Sequence, residues 1–138
     1  MSYNFKSDMS YSKEDLANYR IERAKESLEE ASILSESNHW NTVANRLYYA
    51  CFYITSAYLV KNNMEASTHN GIKSKFNNEL IKKDIIEKKY GQLYNKLFNL
   101  RQDADYRDYK DVSEEKIKPM IQEVEALIKL MEDLTRES

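Results

Sequence analysis

Apolar residues recur at helical spacing along most of this chain, and strand-like alternation is absent. The densest stretch is residues 41–60, NTVANRLYYACFYITSAYLV, which is apolar on nearly every face of a helix. Such a helix belongs in the middle of a bundle or in a membrane. Its Asn45, Arg46 and four tyrosines, and the lack of a second segment like it, favour a buried helix over a membrane span. A guanidinium in that setting is costly unless it is paired or faces a cleft. Arg46 therefore calls for an acidic or phosphate partner, or water. The polar knot RQDADY, from Arg101 to Tyr106, is the candidate partner.

The flanking pattern predicts further helices. Ser12 opens an S-x-x-D capping-box variant ahead of a helix over about 13–37, with Leu16, Tyr19, Arg23, Leu28, Ala31 and Leu34 inward or partly inward. Trp40, placed to staple the next start, and an Asn41 N-cap precede the central helix, about 42–61, which stops at Asn62 and Asn63. Ser67 and Thr68 cap a short helix over about 68–79, with His69 and Gly71 in its first turn. A glycine there permits close backbone approach, and helix N-termini bind anions. Another short helix is expected over about 79–87. A fourth long element, about 89–107, lines up Tyr90, Leu93, Leu97, Leu100 and Ala104 on one face. Tyr109 to Asp111 reads as a loop, and Ser113 caps a last helix over about 114–135, where Pro119 predicts a late start or a kink. Residues 1–11 read as a flexible N-terminus and 12–138 as a single domain. The fold class is all-α: a mostly antiparallel bundle of about five helices, with the second and fourth long helices at its centre.

Composition narrows this picture. Two glycines and one proline in 138 residues, with abundant Lys, Glu, Leu and Ala, suit helices and leave room for one core. A net charge of -2 argues against binding duplex DNA by bulk electrostatics. A small site for a nucleotide or a single strand stays open. The charge is uneven: residues 12–37 hold seven acidic and four basic side chains, and residues 72–96 hold seven basic and three acidic. Two solvated faces would explain this, as would a docking face for an acidic partner. The single cysteine, Cys51, excludes an internal disulfide framework and a cysteine-based zinc site, and its apolar neighbourhood reads as packing. The N-terminal residues show no apolar signal region, and the expected location is the cytoplasm.

Candidate chemistry gathers in two places. Arg46, Tyr49 and Tyr53 follow i, i+3, i+7 spacing and share a helix face, and Arg101 and Asp105 are i, i+4. Two arginines, carboxylates and phenols can bind a phosphate bidentately and stack a base. The same set can also form a structural salt-bridge network. His39 reads as exposed, and His69 as a local hydrogen-bonding residue or an anion contact. No histidine pair has metal-ligand spacing, and no Walker loop, G-x-G-x-x-G or nucleophile elbow is present, so neither metal nor cofactor is expected.

Taken in order, ANRLYYACFYITSAYLV, STHNGIKSKF, LRQDADYRDY and a VSEE-led final helix resemble the HEPN domain family over roughly residues 13–135. The similarity is to its small stand-alone bacterial and archaeal branch, a fold of the nucleotidyltransferase substrate-binding-subunit type. The resemblance implies an antiparallel helical bundle, a homodimer, and a minimal nucleotidyltransferase partner in a toxin–antitoxin pair. Active members are metal-independent endoribonucleases with an Arg, four to six residues, then a His, meeting its copy across the dimer. Here Arg101 stands at the motif arginine and Tyr106 at the place of the histidine; no histidine follows it. Asn45 and Arg46 match the polar position of the family's second helix, and His69 lies in the S-T-H-x-G turn of this branch. A phenol with an ordinary pKa near 10 is a poor general base at neutral pH. The resemblance thus implies a nucleotide- or RNA-binding module with Asn45, Arg46, Tyr49, His69 and Asp105 around the ligand. An endoribonuclease using Arg101 with Tyr106 or His69 is the alternative, and a purely structural bundle is a third reading. Tyr106 or Tyr109 would be the acceptor if the partner transfers a nucleotide, as tyrosines near this motif are in some related pairs.

Overall fold

The structure is a computed structural model that describes residues 12–104 and 112–138, without the side chains of 102–104. Five α-helices follow in order: α1 (Lys13–Ser35), α2 (Trp40–Lys61), α3 (His69–Phe76), α4 (Lys88–Ala104) and α5 (Glu114–Arg136). A π-helical segment, Asn77–Ile81, continues α3. The described residues are helix and turn, as the patterning predicts.

Three starts obey the capping chemistry read from the sequence. At Ser12 the side chain accepts from the Asp15 amide at 3.0 Å while the Asp15 carboxylate accepts from the Ser12 amide at 3.3 Å, a complete capping box. Thr68 accepts from the Gly71 amide at 2.9 Å, and Ser113 from the Lys116 amide at 3.3 Å. The start of α2 differs from expectation. The helix begins at Trp40, the Val43 amide donates to the His39 carbonyl at 2.9 Å, and no side chain caps it. Asn41 therefore lies inside the first turn instead of capping it. Pro119 brings no late start either: α5 begins at Glu114 and runs through it.

The α1–α2 hairpin sets the register of the bundle. Lys13 contacts Asn63, Arg20 the Ser56 carbonyl, Arg23 the Tyr53 ring and Glu30 Arg46. Each pair is equidistant in sequence from Asn38, which turns the chain with φ 59°. The two helices are antiparallel. Arg136 reaches Asn18 and Lys25 reaches Glu132, so α5 is antiparallel to α1 as well. Among the described residues only α2 touches every other helix, and α4 makes no contact with α1. The central position expected for both long helices thus holds fully for α2 alone. On α4, Lys88, Lys89, Gln92, Lys96 and Asn99 stay exposed opposite its buried Tyr90, Leu93, Leu97 and Leu100. The inward stripe of α1 holds at Leu16, Arg23, Leu28, Ala31 and Leu34, which are buried or partly buried, and fails at Tyr19. Ala17, Ile21, Ala24, Ser27 and Ala31 are buried and Tyr19 is 59% exposed. Small residues on this stripe let α1 lie close against α2, and Tyr19 is too large for that seam.

The short helix expected over 79–87 is absent. Asn77 turns its amide on the Lys73 carbonyl at 3.1 Å and on Asn95 Oδ1 at 3.2 Å, and the Lys82 amide bonds back to the Asn77 carbonyl at 2.9 Å. The ladder is thereby widened to π spacing, and Asp84 ends it with φ 57°. Helix α4 packs against this segment through Gly91, where an added Cβ would lie 3.0 Å from Asn77 Oδ1 and 3.1 Å from Ile81 Cγ1. Gly91→Ala should cost about 1–2 kcal/mol, because the overpacking exceeds the roughly 1 kcal/mol that alanine adds to helix stability. Urea denaturation of the variant checks this, and an unchanged or raised midpoint would contradict the close packing.

Candidate functional site

The site is built on the half-exposed side of α2. Tyr48 is fully buried, while Asn45, Arg46, Tyr49, Phe52 and Tyr53 are partly exposed. Their rings form a continuous cluster. Tyr48 meets Tyr49 edge-on at 5.0 Å, Phe52 at 6.2 Å, and Tyr94 and Phe98 of α4 at 6.2 and 6.1 Å between centroids. Tyr49 continues to Tyr53 at 6.1 Å. Aromatic pairs at such spacings add to the stability that burial provides.

Two guanidinium groups converge on this cluster from different helices. Arg46 lies 5.2 Å from the Tyr49 ring centre, and Arg101, near the end of α4, lies 5.8 Å from it and 5.2 Å from that of Tyr48. Both distances suit cation–π attraction. The structure therefore brings together Arg46, Tyr49 and Arg101, as the sequence suggests. The acidic partner of Arg46 is another matter. Its Nη1 donates to Glu30 Oε1 of α1 at 3.0 Å, and its Nε and Nη2 donate to Asn45 Oδ1 at 3.3 and 2.8 Å. The expected partners, Asp103 and Asp105, lie outside the residues whose side chains are described, as do Tyr106 and Tyr109. Glu30 does not belong to the apolar stripe of α1, and only the register of α1 against α2 places it opposite Arg46.

His69 enters from the first turn of α3. Its ring stacks on Phe52 at 4.4 Å with the planes 20° apart, and its Nδ1 is 2.7 Å from the Tyr48 hydroxyl. Gly71 secures this placement: a Cβ there would come within 2.9 Å of the Thr68 hydroxyl that caps the helix. Burial, and then the charge of Arg101, hold the His69 imidazole below its usual value of 6.5. Burial pushes the Tyr48 phenol well up, and the Arg101 charge only partly offsets it. Tyr48 therefore stays protonated, and His69 stays neutral at pH 7. Lys73 lies over the Phe98 ring at 4.6 Å.

Tyr48 is a member of this cluster that the sequence pattern marks only as packing. The signal for it was the need of any buried tyrosine hydroxyl for a hydrogen-bond partner. Cys51 is fully buried, and burial raises its thiol far out of the reactive range. His39 is exposed and plays no part here. Among the described residues no group of three His, Cys, Asp or Glu side chains is placed to hold a metal ion, and no helix is long and apolar enough to cross a membrane. A separate groove of about 360 Å³ lies between α4 and α5, lined by Lys89, Tyr90, Leu93, Pro119 and Glu123 among others, and contains none of these residues.

Two outcomes follow from this geometry. The Arg46 and Glu30 side chains are 25% and 50% exposed, so water screens the pair and reaches the carboxylate once the arginine is gone. Arg46→Met should cost less than about 1 kcal/mol in chemical denaturation. A loss of several kcal/mol would mean that the pair is effectively buried. His69 gives a pH dependence with a definite sign. Its folded-state value lies below 6.5, so the unfolded chain takes up the proton first as pH falls. Its contribution is complete above about pH 6.5 and is lost as pH drops through the folded-state value. The carboxyls of Glu79 and Glu132, both held below 4.5, act only further down. Thermal melts from pH 8 to 5 should show wild type losing stability that His69→Gln retains, and equal slopes for the two would contradict the assignment.

The chain matches the HEPN domain family over residues 17–134. It is 36% identical over 128 residues to a UPF0332 protein of Thermotoga maritima, covering 90% of this chain and 97% of that one. It is also similar to two Methanocaldococcus jannaschii proteins named as candidate toxins. One is 36% identical over 95 residues, covering 69% of this chain and 71% of the relative. The other is 33% identical over 86 residues, covering 62% and 58%. With a helical bundle of this topology, and with a family match spanning most of its length, the chain belongs to the HEPN domain family.

Proposed function

We propose that this HEPN protein is a toxin-like module whose α2–α4 cleft binds the phosphate of a nucleotide or of single-stranded RNA. It does so as a homodimer and in partnership with a nucleotidyltransferase-type protein. One observation carries the reading: two guanidinium groups from different helices meet at one half-exposed tyrosine, Tyr49. Arginines in that arrangement offer planar, multidentate donors to phosphate oxygens, and the ring offers a stacking surface to a base. The candidate-toxin names of two relatives support the toxin-like role. The half-exposed Tyr49, Phe52 and Tyr53, with Tyr19 exposed on α1, suit an interface with a second copy.

Ribonuclease chemistry is the second reading, with Arg101 stabilising charge on the phosphorus and Tyr106 or His69 moving the proton. Tyr106 in place of a histidine disfavours it, as does an imidazole whose Nδ1 is already engaged by Tyr48. Nucleotide transfer to Tyr106 or Tyr109 by the partner remains compatible with the binding reading.

The test compares wild type, Arg101→Ala and Tyr106→Phe on a labelled single-stranded RNA, alone and with the co-expressed product of the neighbouring gene. Wild type should bind without rapid cleavage, and Arg101→Ala should weaken binding about tenfold or more, the usual loss for a hydrogen bond to a charged group. Robust cleavage by wild type that vanishes in both variants would establish the enzyme reading instead. Absence of any RNA or nucleotide binding would defeat both.

A further inference from the structure

We propose that Tyr48 is a positioning residue that fixes His69 as the neutral tautomer carrying its proton on Nε2. His69 is then a hydrogen-bond donor to a phosphate oxygen in the Arg46–Arg101 cleft and not a proton acceptor. The second half of this inference rests on the binding function proposed above; the first half stands on geometry alone.

A tyrosine hydroxyl has one hydrogen to give, and a neutral imidazole has one donor nitrogen and one acceptor nitrogen. Tyr48 is 0% exposed, and among the described residues His69 Nδ1, at 2.7 Å, is the one hydrogen-bond partner of its hydroxyl. If Nδ1 carried the proton and donated to Tyr48, the phenolic hydrogen would be buried with nothing to accept it. A buried, unmatched donor is the more expensive arrangement. If Tyr48 donates to Nδ1, both groups are satisfied and the imidazole hydrogen must sit on Nε2.

A second proton is disfavoured for the same reason. It would place an N–H on Nδ1 and force the phenolic hydrogen away from its partner. It would also place a positive charge beside Arg101 of α4. Around the ring, the titratable or charged groups are Tyr48 and Tyr49 of α2 and Arg101 of α4; the described residues place no carboxylate among them. Phe52, stacked at 4.4 Å, supplies an apolar wall. Among the described residues Nε2 has no protein partner, and His69 is partly exposed, so the hydrogen it carries is available to a ligand.

The chemical consequence is specific. A neutral N–H beside the Arg101 guanidinium recognises an anionic oxygen by direction and not by added charge. Its contribution should vary little with pH or salt, unlike that of a histidinium. It also cannot accept the proton of a ribose 2′-hydroxyl at Nε2, and Nδ1 is occupied by Tyr48. This assigns His69 to holding phosphate and removes it from the list of general bases.

Long-range proton–nitrogen correlation spectra of the full chain test the tautomer without any ligand. His69 should show a protonated Nε2 and a bare Nδ1 from about pH 8 down to below its ordinary midpoint near 6.5. Tyr48→Phe should abolish that preference, giving both tautomers and a midpoint shifted up. A bare Nε2 in wild type, or a midpoint at or above 6.5, would overturn the proposal. Binding of two probes, a uridine hexamer and AMP, tests the second half. His69→Ala should weaken binding about tenfold, while His69→Gln, which keeps an N–H near the position of Nε2, should stay within about threefold of wild type. A loss on AMP alone would identify a terminal phosphate as the group held, and a loss on the hexamer alone an internal phosphodiester. Equal loss in Ala and Gln, or none in either, would overturn the donor role. If wild type binds neither probe, the binding function fails, and the spectra still decide the tautomer.

Discussion

Tyr48 holds the inside and the outside of this protein together. Its ring is fully buried and packs against Tyr94 and Phe98 of α4, while its hydroxyl meets His69 at 2.7 Å and Arg101 lies over its ring. One side chain thus joins α2 to α3 and α4 and sets the position of the polar groups above it. The constraint is that a phenol buried this deeply must spend its hydrogen on something. His69 accepts it, and α3 must then start where Thr68 and Gly71 can hold His69 against Phe52. Tight packing at Gly91 of α4 against Asn77 and Ile81 keeps the segment that continues α3 in register with α4.

The arginines obey a second constraint. A guanidinium on a mostly apolar helix needs an anion or an aromatic face. Arg20 and Arg46 find both carboxylates and backbone or amide oxygens at the α1–α2 seam. Arg23 shares the Tyr53 ring with an ion pair to Glu26. The acidic excess of residues 12–37 therefore partly neutralises the arginines of this seam. Arg101 is differently placed, over Tyr48 and Tyr49 near the end of α4.

Much of the fold was legible because capping chemistry is local. The Ser12, Thr68 and Ser113 starts need only neighbours three residues away. The all-apolar character of α2 announced its central place in the same way. Apart from the Asn41 cap and the late start at Pro119, what failed depended on partners distant in sequence. The α1 stripe was misread at Tyr19 because the larger side chains looked more hydrophobic than the alanines that let two helices approach. The π-helical segment depends on Asn95 reaching Asn77 from another helix. Glu30 was findable: once Asn38 is taken as the turn, an antiparallel hairpin places Glu30 opposite Arg46. Of the candidate site, Arg46, Tyr49, His69 and Arg101 stand out in the sequence by their chemistry, and the structure brings them to one aromatic cluster. Tyr48 does not stand out, because a tyrosine among tyrosines in an apolar helix reads as packing until its hydroxyl is followed.

The central claim is that Arg46, Tyr49, His69 and Arg101 form one phosphate-binding cleft. The most direct measurement is an NMR titration that follows arginine side-chain N–H, His69 ring and tyrosine ring signals as a short single-stranded RNA is added. The account predicts that the Arg46, Arg101, His69 and Tyr49 signals move together, with one shared affinity. Shifts confined to the lysine-rich face of α4, at Lys88, Lys89 and Lys96, with the cleft signals unmoved, would contradict it.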